Sequence, residues 1–162
     1  MYGYVKVGSA VPKLRVADCV YNKEEILKLV EAAAAKQVRV LSFPELSVTG
    51  YTCADLFFQT PLLHAAEQAI QEIAEATEAL NIFLLIGAPI AVDNQMFNCA
   101  VALYKGKLLG IVPKTHIPNY SEFYEERWFA SADDLLTEEI TYAGQNVPIG
   151  ADLIFAAADF HA

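Results

Sequence analysis

The sequence predicts an α/β fold, a mixed β-sheet with covering helices. Three observations carry it. A helical, amphipathic stretch at 22–37 lies between two short apolar runs, and a strand-helix-strand succession favours a parallel crossover. The run Ile82-Phe83-Leu84-Leu85-Ile86 has no polar alternation, as in strands buried on both faces. Two apolar segments meet at Lys105-Gly106-Lys107, where glycine permits the positive φ of a tight antiparallel turn.

The elements follow in order. Residues 4–10 read as a short strand, with Val5 and Val7 alternating with polar or small neighbours. Asn22 is placed to cap the first helix, with Glu25 three residues on as its capping-box partner. Ile26, Leu27, Val30, Ala33 and Ala34 then share one face. Residues 38–43 form the next strand, stopped by Pro44. A second helix is expected over about 61–80, with Pro61 in the first turn and Leu63, Ala66, Ile70, Ile73, Ala74 and Thr77 facing the core. Residues 82–86 make a buried strand, and 97–104 with 107–113 make the hairpin. From Thr115 to Asp134 aromatic and charged residues crowd together without periodicity, and irregular segments of that length often carry function. Thr141-Tyr142 and 152–157 read as two last strands around Gly144 and Gly150. No internal repeat or linker is visible, so 1–162 is one domain or part of one.

Composition narrows the function. The 162 residues are 55% hydrophobic and 19% charged, which excludes disordered and low-complexity classes. Twenty acidic residues against eleven basic ones leave a net charge of −9, which argues against nucleic acid and anionic membrane surfaces as partners. The longest apolar runs, 82–92 and 147–158, are shorter than the ~20 residues of a membrane helix. With no basic, apolar leader pattern at the start, a cytoplasmic location is expected. Cys19, Cys53 and Cys99 are too irregularly spaced for a disulfide framework or a zinc site, and no metal site is expected. His64, His116 and His161 are equally scattered and fit surface or satisfied core positions.

Two segments carry candidate chemistry. In Phe43-Pro44-Glu45-Leu46-Ser47-Val48-Thr49-Gly50-Tyr51 a glutamate follows the C-terminal end of a predicted parallel strand, where open α/β sheets place their ligands. A carboxylate desolvated by Pro44, Leu46 and Val48 suits general-base work. Taken alone, the segment fits an exposed loop glutamate better. In Val112-Pro113-Lys114-Thr115-His116-Ile117-Pro118 a lysine at another strand end stands between two prolines. It could steady a developing oxyanion, although a single strand-end lysine is commonly just solvated.

Together, FPELSVTGY and VPKTHIPNYSEFYEERWF resemble the first two catalytic segments of the nitrilase, or carbon-nitrogen hydrolase, superfamily. Within it, GYTCADLF and NYSEFYEERWF are similar to the glutaminase domains of the glutamine-dependent NAD⁺ synthetases. The resemblance implies a partial α-β-β-α sandwich and a Glu-Lys-Cys triad acting on L-glutamine. It implies Glu45 as general base, Lys114 as the triad lysine, and Glu122 as an additional catalytic glutamate, with Glu125 as the alternative. Tyr51, Tyr120 and Phe123 would contact glutamine. No cofactor is implied for these 162 residues. ATP and magnesium belong to a C-terminal synthetase domain, the expected partner, which amidates deamido-NAD with the ammonia released. Such domains also associate with further copies, so a homo-oligomer is expected.

The nucleophile departs from the pattern. The family's cysteine follows the segment that VPIGADLIFAAADF resembles, and the sequence ends there. Cys19 precedes the glutamate motif, while Cys53 and Cys99 read better as buried structural thiols. The expectation is an N-terminal portion of the domain, inactive by itself. A stand-alone nitrilase-type amidase or carbamoylase and a non-catalytic interaction module remain as alternatives.

Overall fold

A computed structural model describes residues 4–157 of the chain. Three short or medium strands, β1 (Val7–Ser9), β2 (Val40–Ser42) and β3 (Phe83–Val92), run parallel, joined through helices α1 (Cys19–Ala35) and α2 (Thr60–Ala76). β4 (Gln95–Tyr104) and β5 (Lys107–Pro113) continue the sheet antiparallel, in the order β1-β2-β3-β4-β5. A separate hairpin, β6 (Glu139–Tyr142) and β7 (Gln145–Pro148), joins β5 through a parallel bridge between Ile111 and Ile149. This is the mixed sheet with helices that the pattern of periodicities predicts.

The register divides the sheet into two unlike faces. Leu41, Leu84, Ile86, Val101, Leu103 and Ile111 point to one side and form a single core with Ile26 and Val30 of α1 and Ala66, Ile70 and Ile73 of α2. On the other face Val7, Val40, Phe83, Leu85, Ala100 and Val112 remain accessible, Val7 at 66% exposure. Residues 152–157, expected to be a strand, are irregular. β7 and Gly150 already occupy the edge of β5, with the Gly150 N–H donating to the Ile111 carbonyl at 3.0 Å. The segment contributes side chains instead: Phe155 lies 5.5 Å from the Phe83 ring, and Leu153 and Phe155 cover Gly110 so closely that a Cβ there would come within 2.8 Å of Leu153. His161 lies outside the described residues.

Two helical boundaries differ from expectation. α1 starts at Cys19, capped by Asp18, whose carboxylate accepts from the Tyr21 N–H at 3.0 Å. Asn22 is therefore a fully buried residue inside the helix. It accepts from the Arg15 N–H (2.7 Å) and donates to the carbonyls of Arg15 (2.8 Å) and Val48 (2.9 Å), tying two loops to the helix. Asn22→Ala would orphan those backbone groups. With a net loss near 1 kcal/mol per bond and more for each stranded group, about 3 kcal/mol of stability should go, read as a lowered denaturation midpoint at unchanged m-value. α2 ends at Ala76 rather than near 80, and the hydroxyl of buried Thr77 donates back to the Ile73 carbonyl at 2.8 Å.

β3 is longer than expected and turns into β4 at Asp93-Asn94, whose φ values of 51° and 63° are those of a tight hairpin turn. The Asp-Asn pair at the end of the apolar run 82–92 is the turn signal for this hairpin. Among the described residues, no helix is long and apolar enough to cross a membrane.

Candidate active site

The glutamate segment is shaped by what lies beneath it. After β2 the chain crosses over β3 at Gly87. A Cβ at that position would fall 2.4 Å from the Leu46 nitrogen, 2.4 Å from the Pro44 oxygen and 2.8 Å from the Glu45 carbonyl carbon. The Val48 N–H donates to the Gly87 carbonyl at 3.1 Å, and the Phe43 N–H donates to that of Leu85 at 2.9 Å. Leu46 takes a left-handed φ of 53°, while Leu46 and Val48 are fully buried. The backbone on either side of Glu45 is thus anchored by apolar burial and strand-edge hydrogen bonds, which restricts where the carboxylate can go.

That carboxylate meets Lys114. Glu45 Oε2 accepts from Lys114 Nζ at 2.9 Å and from Asn98 Nδ2 at 2.9 Å. Asn98 is buried on β4, and its carbonyl receives the Lys114 N–H at 2.8 Å, so one residue positions both partners. Lys114 Nζ also donates to both Glu125 oxygens, at 3.1 and 3.4 Å. Glu125 is buried and accepts a short hydrogen bond from the Tyr51 hydroxyl. Glu45 follows the C-terminal end of β2 and Lys114 that of β5, the strand ends at which the sequence places them. Burial opposes the Lys114 charge, but hydrogen bonds and charges from Glu45 and Glu125 outweigh it and hold its pKa above the ordinary lysine value. Because the folded pKa is raised, this stabilisation is complete below the ordinary lysine value and is lost only as pH climbs through the higher folded one. The ammonium persists at neutral pH.

Comparison with known proteins decides the family. The Carbon-nitrogen hydrolase family profile matches residues 6–154. The chain belongs to the carbon-nitrogen hydrolase family. Among curated relatives it is 36% identical to the glutamine-dependent NAD(+) synthetase of Mycobacterium leprae over 97% of this chain, but spans only 23% of that relative's length. A crystal structure of a glutamine-dependent NAD(+) synthetase from Cytophaga hutchinsonii matches with a TM-score of 0.87 at 28% identity, over 96% of this chain and 26% of the other. An amidase from Nesterenkonia sp. shares the fold alone, with a TM-score of 0.67 at 18% identity, over 90% of this chain and 55% of the other.

Within this carbon-nitrogen hydrolase chain, the structure brings Glu45, Lys114, Glu125 and Tyr51 together and leaves others apart. Glu122, expected as the additional glutamate, is exposed on the turn before Glu125 and has no contact with Lys114. Ser121 adopts a φ of 53°, and the Glu125 N–H returns to the Pro118 carbonyl at 3.1 Å. This reversal carries Glu125 inward and turns Glu122 out. Tyr120 (68% exposed) and Phe123 (36%) pack edge to face on each other, with ring centroids 6.0 Å apart. Glu45 is less desolvated than its apolar neighbours imply, with half of its side chain exposed, because Leu46 and Val48 point into the core. Sequence reasoning missed Asn98 and Gly87. A lone asparagine and a lone glycine inside apolar strands were the available signals.

The three cysteines are free and buried. Burial pushes the Cys19 thiol up to about 11 and raises those of Cys53 and Cys99 as well. Cys53 Sγ donates to the Thr49 carbonyl at 3.2 Å. None has the lowered pKa of a nucleophilic thiol. A cavity of about 540 Å³, lined in part by His64, Glu67, Asp93 and Tyr142, lies between α2 and the β3 end, apart from the Glu45 cluster. Among the described residues, no group of three or more His, Cys, Asp or Glu side chains could hold a metal ion.

Proposed function

We propose that the chain is the N-terminal part of the glutaminase domain of a glutamine-dependent NAD⁺ synthetase. The observation that carries this reading is the Glu45-Lys114-Glu125 cluster at the strand ends, on the two motifs that resemble such domains. The nucleophilic thiol comes from a part of the enzyme outside these 162 residues, since Cys19, Cys53 and Cys99 are buried in structural positions.

In the complete enzyme Glu45 takes the thiol proton as sulfur attacks the side-chain amide carbon of L-glutamine. The proton passes to the leaving nitrogen, ammonia departs, and a glutamyl thioester remains. The Lys114 ammonium stabilises the oxyanion of the tetrahedral intermediate. Glu45 then removes a proton from the water that hydrolyses the thioester to glutamate. Tyr51, Tyr120 and Phe123 contribute the side of the pocket that receives glutamine. Ammonia goes on to amidate deamido-NAD in the synthetase part, to which ATP and magnesium are assigned; among the described residues no group of three or more His, Cys, Asp or Glu side chains could hold a metal ion. Three unpaired thiols suit a reducing, cytoplasmic setting. Association with further copies belongs to the same proposal.

The full-length enzyme tests this reading with an electrophilic glutamine analogue and with glutamine itself. Ammonia should be released from glutamine, and the analogue should label one cysteine other than Cys19, Cys53 and Cys99. Labelling of any of these three, or no ammonia from glutamine, would overturn the assignment.

A further inference from the structure

Glu125 is buried against Lys114, yet the segment that delivers it is open to solvent: Tyr120, Ser121, Glu122, Phe123 and Tyr124 are all exposed. The turn Glu125–Arg127 is held at its start by the Pro118 carbonyl and by Asn119, whose Nδ2 donates to Glu126 Oε2 at 2.7 Å, and at its end by segment 51–58. The Asp55 carboxylate accepts from Arg127 Nε (2.8 Å) and Nη2 (2.7 Å) in a two-pronged fork, and from Trp128 Nε1 at 3.0 Å. Phe57, fully buried, meets the Trp128 and Phe129 rings edge on at 6.1 and 5.0 Å. Four residues before Asp55, Tyr51 grips Glu125 directly.

Resting on the glutaminase reading, we propose that Asp55 is a positioning residue for Lys114, acting through Arg127 and Trp128 to keep Glu125 against the ammonium. The fork suits this task. A paired guanidinium and carboxylate fix direction as well as distance, and the indole donor fixes a second point on the same carboxylate. Arg127 and Trp128 stand two and three residues after Glu125 in the same short turn, so a rotation of that turn displaces the Glu125 carboxylate. Asp55 and Arg127 are themselves exposed, and exposed ion pairs contribute little to stability. Their pairing therefore matters for geometry more than for folding. The Arg127 and Trp128 hydrogen bonds also keep the Asp55 carboxyl at about 2, so the fork stays charged throughout the neutral range.

The full-length enzyme carries the test. Asp55→Ala should lower glutamine-driven kcat roughly tenfold or more, since displacements near 1 Å are costly in a preorganised site, with little change in melting temperature. Asp55→Glu should recover part of the loss, and Asp55→Ala with Arg127→Ala should be no worse than Asp55→Ala, because the two act through one contact. Independently of glutamine, competitive acetylation of Lys114 across pH should show its pKa falling toward the ordinary lysine value in Asp55→Ala. That readout decides the positioning claim even if glutamine proves not to be the substrate. Should Asp55→Ala fail to fold, Arg127→Ala tests the same contact from its other end. Unchanged kcat together with unchanged Lys114 titration in a folded variant would overturn the proposal.

Discussion

On the proposed glutaminase reading, Glu45→Gln in the full-length enzyme is expected to lower glutamine-driven NAD⁺ formation by roughly 10²–10⁴-fold, the usual contribution of a positioned general base. The amide keeps the shape of the side chain and accepts from Lys114 and Asn98, but it cannot take a proton from a thiol or from water. Lys114→Met should cost roughly 10²–10³-fold by removing the oxyanion partner. It also leaves Glu45 and buried Glu125 facing each other without the ammonium between them. The double variant should be scarcely slower than the worse single one, because groups acting as a unit are not additive. Steady-state rates with glutamine and with free ammonia separate the two half-reactions. Equal losses with both nitrogen sources would place the defect outside the amide-hydrolysing site.

The second large effect is expected from Gly87→Ala, a change of one methyl group. The added carbon would stand 2.4 Å from the Leu46 nitrogen and from the Pro44 oxygen, both backbone atoms of the segment that carries Glu45. Backbone cannot rotate away as a side chain tip can, so either β3 or the Glu45 segment must move. Overpacking in a close-packed interior costs about 1–3 kcal/mol, and this contact belongs at the upper end. Thermal or urea denaturation should report that loss. On the proposed reading, glutamine-driven turnover should fall further than stability alone explains, since the displaced segment bears the proposed base, Glu45. A variant with unchanged midpoint and rate would mean that Glu45 is not placed by its crossing of Gly87.

Parts of this molecule were legible from local pattern. The 3.6-residue period of α2, the unbroken apolar run of β3 and the Lys105-Gly106 turn each depend on neighbours a few residues away, and each element formed, α2 shorter and β3 longer than its pattern alone predicts. The positions of Glu45 and Lys114 at strand ends were readable for the same reason: both follow strand patterns closed by proline. Asn22 was legible as a helix-start residue and yet lies inside the helix, because its partners Arg15 and Val48 come from other loops.

By itself, then, the sequence determined an α/β sheet with two covering helices and two strand-end segments bearing a carboxylate and an ammonium. Only the tertiary structure decided which glutamate meets Lys114. Glu122 and Glu125 are chemically the same and three residues apart, and the choice turns on the left-handed Ser121 and the hydrogen bond to Pro118. Likewise Asn98, Gly87 and Asp55 matter through groups 53, 41 and 72 residues distant in the chain. Periodicity reports which face of an element is apolar. The approach of two elements is fixed by packing across the whole core, and no local spacing encodes it.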